Sequence, residues 1–121
     1  MYMRKFAKTG RAKGYEVVII NARGSAGVKA TSQRIHIAFN HDDVLEVMTS
    51  VYDRYPNRKV FAVGASMGGN NLTNLLGFEG ENTFITAACA IQPHVKYWNW
   101  PDHFKKSFFG IYNIAIGKAM T

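Results

Sequence analysis

The sequence predicts an α/β fold, a parallel sheet of about three strands with flanking helices. Three observations predict it. Stretches with helical spacing alternate along the chain with short apolar runs. Those runs lack the polar alternation of a half-exposed strand, which suits strands covered on both faces of a parallel sheet. The composition is also that of a folded domain, 47% hydrophobic and 19% charged over 121 residues, neither disordered nor fibrous.

The elements follow in order. Residues 2–13 read as a helix, with Tyr2, Met3, Phe6 and Ala7 on one face and Gly14 as the stop. Residues 16–20, Glu-Val-Val-Ile-Ile, form the first expected strand, and a glycine-bearing loop covers 21–31. In the next helix Val44, Val47, Met48, Val51 and Tyr55 share a stripe. Asn40 can cap its start with Asp43 as reciprocal partner. Asp42 and Asp43 suit the positive end of the helix dipole, and Pro56 closes the element. A second strand is expected over 59–63, a third helix from Met67 to about Leu76 with Gly77 as its stop, and a third strand over 84–90. Beyond Ile91 the alternation breaks down, although 104–116 can form a helix. The whole chain reads as one small domain, with no interdomain linker.

Charge and cysteine usage narrow the function classes. The net charge is +7. Lys5, Lys8, Arg11 and Lys13 form one loose cluster and Lys105-Lys106 a second. Solvated basic faces and contact with an anionic lipid surface are both open. Nucleic acid is not expected, because no basic groove with interleaved stacking aromatics is evident. Cys89 is the only cysteine, so no intrachain disulfide is possible, and it reads as a small buried hydrophobe. No run reaches the roughly 18 apolar residues of a membrane span. Met1 to Lys5 lacks the apolar core of a signal peptide. No metal is expected, for want of ligand spacing, and no cofactor.

The chemistry is concentrated in Gly64-Ala65-Ser66-Met67-Gly68-Gly69, a G-x-S-x-G sequence. It directly follows one apolar run and directly precedes a helix, the context of a nucleophile elbow. Such a turn strains the serine backbone and holds its hydroxyl out above the sheet. Strand and helix approach closely there, so glycine is expected at both 64 and 68. The following helix points its positive end at a developing oxyanion, and the Met67 backbone N–H becomes a donor to it. Two alternatives stand beside this one. The first is a glycine-rich turn with an idle serine. The second is a degenerate dinucleotide fingerprint, Gly64-x-Ser66-x-x-Gly69, for which Glu79 and Glu81 are misplaced as the ribose-binding acid. For a base, His94 and the adjacent pair Asp102-His103 are the candidates after Ser66. Neither is favoured, since acid and histidine normally follow later strands. His36 and His41 flank a helix start and read as surface residues.

Several segments resemble a known family. Gly14-Tyr15-Glu16-Val17-Val18-Ile19-Ile20-Asn21-Ala22-Arg23-Gly24 resembles the G-Y-x-V-V-x-x-N-x-R-G segment of the α/β-hydrolase family that includes embryogenesis-associated proteins and membrane-linked acylglycerol lipases. Gly24-Ser25-Ala26-Gly27-Val28 resembles its G-x-x-G-V continuation. Asp42-Asp43-Val44 is similar to its helix start, Tyr55-Pro56 to its helix end, and residues 64–69 to its G-x-S-M-G-G elbow. The resemblance runs from about residue 2 to 89, and it implies that residues 1–121 are a partial domain in which about 92–121 start the cap or lid region. It implies a partial α/β-hydrolase fold and hydrolysis of carboxylic esters, of acylglycerol or phospholipid type, with Ser66 as nucleophile and Met67 as half of the oxyanion hole. Lipid or small esters are then the substrates, and a membrane surface is a candidate partner of the full-length protein. The resemblance also implies that the triad acid and histidine, the second oxyanion loop and one intervening strand lie outside these residues. The strand over 16–20 would then face a gap. An inactive hydrolase fragment serving as a binding module is the alternative. Arg23 is expected to make a structural ion pair.

Overall fold

In a computed structural model, residues 2–27, 29, 31–34, 41–94, 110, 111, 114, 115 and 118 are described. The element order is α1 (Tyr2–Ala12), α2 (His41–Arg54), β1 (Val60–Ala65), α3 (Met67–Glu79), a 3₁₀ turn (Gly80–Asn82) and β2 (Ile85–Ile91). β1 and β2 pair in parallel, as the α/β alternation requires. The register runs from Phe61 opposite Ala87 to Ala65 opposite Ile91, with an irregularity between Val60 and Phe61.

Each helix ends where local chemistry stops it. At α1, Gly14 takes φ 83°. Its N–H donates to Arg11 O at 3.0 Å while the Tyr15 N–H reaches back to Gly10 O at 3.1 Å, the paired bonds of a Schellman motif. α2 carries Asp42 and Asp43 in its first turn and ends just before Pro56. α3 runs through Gly77 and stops at Gly80, which has φ 52°. The expected stop at Gly77 is therefore three residues early. Both glycines permit a helix end, and only the second adopts the left-handed backbone.

The core lies where α2 and α3 pack together over the strands. Met48, Leu72, Leu75 and Ile85 are buried, with Val44, Leu45, Val60, Ala62, Leu76 and Phe84 packed against them. Tyr52 stacks on Phe84 with ring centroids 4.7 Å apart.

Two expectations are corrected here. Among the described residues the sheet has two strands rather than about three. Residues 16–20 pair with no strand, and Val18 and Ile19 remain about half exposed. A ladder needs a neighbour within hydrogen-bonding reach, and among the described residues β1 and β2 pair with each other alone. The segment is held by side chains instead. Val17 lies against Gly10 of α1, Tyr15 packs edge-on to Phe61, and Glu16 accepts a 3.0 Å bond from the Tyr55 hydroxyl and pairs with Arg58 at 3.6 Å. Cys89 is likewise exposed rather than buried, because among the described residues α3 is the helix that packs on β2.

The Asn40 cap lies outside the described residues, as do most of the expected 104–116 helix and most of the expected cap region. Among the described residues, no helix is long and apolar enough to cross a membrane.

Leu75 is 1% exposed at the centre of the core. Leu75→Ala should lower the unfolding free energy by about 2–5 kcal/mol in a urea titration, through lost transfer energy and a residual cavity. A loss below about 1 kcal/mol would contradict this core placement.

Candidate active site

Ser66 sits between β1 and α3, at φ 52° and ψ −122°. A non-glycine residue adopts that backbone only where its surroundings enforce it. The enforcement is visible on both sides. The Ser66 N–H donates to Ile91 O at the end of β2 (2.9 Å), and Ser66 O accepts the first helical bond, from the Asn70 N–H (3.1 Å). Serine is a favoured N-cap, yet the Ser66 side chain makes no capping bond, and the residue is exposed. Its hydroxyl is thus not consumed by the helix it precedes.

The glycines divide unequally. A Cβ on Gly64 would fall 2.3 Å from Gly68 O and 2.9 Å from Gly69 Cα. The strand and helix backbones touch there, and no side chain fits. At Gly69 an added Cβ would meet Gly64 O at 3.3 Å and Ile91 O and Pro93 Cβ at 3.4 Å, a tight fit. At Gly68 it would meet nothing within 4 Å. The expected collision is therefore one-sided: position 64 requires glycine, and position 68 supplies the backbone that it touches.

Met67 is the first residue of α3, so its N–H has no acceptor within the helix. It stands beside Ser66 at the positive end of the helix dipole. Ser66, Met67 and the three glycines thus form one compact turn.

Asn70 also belongs to this site, although its chemistry was not anticipated. It is 4% exposed. Its amide N–H donates to His94 O, and its Oδ1 accepts from the His94 N–H at 2.6 Å. One side chain thereby satisfies both main-chain groups of the segment leaving β2, next to Gln92 at φ 49°. The signal was an asparagine directly after the third glycine, Gly69, where a helix interior disfavours it.

The other histidines separate. His41 is not a free surface residue. It stacks on Phe78 with centroids 4.1 Å apart, and its Nε2 lies 3.4 Å from Asp42. His36 and the Asp102-His103 pair lie outside the described residues. Arg23 makes the expected ion pair, a two-point contact with Asp43 at the start of α2, plus a 2.7 Å bond to Ser32 Oγ. The hydrogen bond to Asp43, together with the charges of Asp43 and Glu46, raises the Arg23 pKa against the cost of desolvation, so the clamp stays charged. It ties Arg23 and Ser32 to the start of α2. Among the described residues, no group of three or more His, Cys, Asp or Glu side chains could hold a metal.

With this geometry in view, the sequence profile of the family described as serine aminopeptidase, S33, matches residues 2–118. The medium-chain fatty acid ethyl ester synthase/esterase 2 of Saccharomyces cerevisiae is 36% identical over 81 residues, 67% of this chain and 18% of that protein. Human phospholipase ABHD3 is 39% identical over 75 residues, 62% of this chain and 18% of that protein. The monoacylglycerol lipase of Saccharomyces cerevisiae is 28% identical over 105 residues, 85% and 23% respectively. The chain therefore spans less than a quarter of the length of these relatives. No solved structure matches.

Gly64→Ala should prevent folding or cost several kcal/mol, since backbone must move to admit the methyl group. Gly68→Ala should be neutral or stabilising by up to about 1 kcal/mol, as alanine is the better helix former. Urea unfolding of both variants checks this. Equal losses would show that the approach of β1 to α3 is wrongly placed.

Proposed function

Because this chain belongs to the S33 serine aminopeptidase family of α/β-hydrolases, we propose that it is the nucleophile-bearing part of a carboxylic ester hydrolase acting on lipid esters. The observation that carries this is the Ser66 backbone at φ 52°, with the hydroxyl left unused as a helix cap. Ser66 Oγ attacks the ester carbonyl and passes its proton to a general base. The carbonyl oxygen becomes an oxyanion held by the Met67 N–H and a second donor. The alkoxide leaves with a proton, and water then hydrolyses the acyl-serine by the same route. The base, its orienting acid and the second donor come from outside these 121 residues.

The family description covers aminopeptidases. An ester substrate is favoured because the similar proteins are named for fatty acyl esters, phospholipids and monoacylglycerols. Acylglycerols or phospholipid acyl esters are therefore the proposed substrate class. A membrane surface is where such substrates are met.

The test uses the protein as the cell makes it. A fluorophosphonate probe should label the peptide carrying Ser66, and monoacylglycerol or phospholipid should be deacylated. Ser66→Ala should abolish labelling and lower turnover by on the order of 10⁴ to 10⁶, since triad members act as a unit. Residues 1–121 alone should turn over a nitrophenyl ester poorly. Ester turnover that survives Ser66→Ala, or cleavage of aminoacyl amides in preference to esters, would overturn the proposal.

A further inference from the structure

The first acidic residue of the sequence is Glu16. Before it stand Arg4, Lys5, Lys8, Arg11 and Lys13, five of the fifteen Lys and Arg residues. Folded as α1, these residues segregate. Met3, Ala7 and Gly10, at helical spacing, form the half-buried face. An added Cβ at Gly10 would meet Val17 Cγ2 at 3.0 Å, so this face is spent on the protein itself. Lys5 and Lys8 lie on the opposite side, flanked by Arg4 and Arg11, and all four are exposed. No helical neighbour within this stretch carries a compensating negative charge.

A shallow open groove of about 410 Å³ runs beside this face. Arg4, Lys8 and Arg11 rim it, and Ala7 and Ile19 form an apolar floor. Phe6, on the other flank of α1, is 51% exposed.

We infer that the outward face of α1 docks on anionic phospholipid headgroups, with Arg4, Lys5, Lys8 and Arg11 as the contacting cations. This rests on the lipid-ester reading for its choice of a membrane over other polyanions. Charge complementarity supplies the attraction, and the groove accommodates a phosphate at its cationic rim with aliphatic atoms against its floor. The mode is adsorption rather than insertion. The apolar stripe of α1 faces inward and Phe6 lies on the flank away from Arg4, Lys8 and Arg11, so among the described side chains the cationic face offers no large apolar group to insert. Binding should therefore require anionic lipid and fall steeply with salt, because exposed charges are screened beyond about 8 Å at physiological ionic strength.

The experiment is co-sedimentation of the whole 121-residue chain with vesicles of equal parts phosphatidylcholine and phosphatidylserine, and with phosphatidylcholine alone. Binding to the first, none to the second, and release by salt are expected. Each cation near an anionic surface strengthens binding about fivefold, so Lys5→Gln with Lys8→Gln should weaken it about 25-fold. Far-UV circular dichroism confirms that the exposed substitutions leave the fold intact. Removing the same charge elsewhere, by Arg54→Gln with Lys59→Gln, should leave binding nearly unchanged. An equal loss from that control pair, binding to neutral vesicles, or tighter binding to a single-stranded oligonucleotide than to the anionic vesicles would overturn the inference. Ser66→Ala must bind vesicles like the parent. If the protein as the cell makes it takes the fluorophosphonate label while the 121-residue chain ignores vesicles, this surface alone is refuted; if the chain binds vesicles while the cellular protein takes no label, the hydrolase reading is refuted instead.

Discussion

Contact between the backbones of β1 and α3 is the constraint on which the site depends. It is close enough at Gly64 that a single methyl group would overlap Gly68 O. A strand can turn into a helix over one residue only if the two elements are allowed to touch, and that residue must then absorb the change of direction. Ser66 absorbs it, at a φ that serine otherwise avoids. The bond from its N–H to Ile91 O ties the turn to β2, and the Asn70 clamp on His94 ties the next segment to α3. These three bonds thus hold the turn whose hydroxyl the helix cap leaves free.

Much of this was legible in the sequence, because the controlling interactions are local. Glycine two residues before the serine, an apolar run ahead of it and a helical stripe after it lie within a few positions of one another. The Arg23 ion pair was expected as a role, whereas its partner Asp43, twenty residues away, had been assigned to the helix cap. Asn70 was missed because its partner is His94, 24 residues on, and only the fold brings them together.

The unpaired segment 16–20 and exposed Cys89 share another cause. An apolar β-branched run states what a strand needs, namely cover and a neighbour, but not whether these are present. Among the described residues one helical layer packs on the two-stranded sheet, so Phe61, Val63 and residues 86–89 keep their exposure. A chain that spans less than a quarter of its relatives' length is consistent with such open faces. The stop at Gly80 rather than Gly77 is a smaller case: residue type permits a helix end, and the competition between packing and backbone freedom chooses it.

The central claim is that Ser66 is held in a strained conformation for the sake of its hydroxyl, and strain is measurable directly. Glycine tolerates φ near +52°, whereas alanine bears the same cost as serine. The most direct measurement is the unfolding free energy of Ser66→Gly against Ser66→Ala. The account predicts that the glycine variant is the more stable by about 1–3 kcal/mol, the cost of one such backbone conformation. Elsewhere glycine is the destabilising choice, by roughly 0.5–1 kcal/mol. A glycine variant no more stable than alanine would mean that Ser66 is unstrained and that the turn is not an elbow.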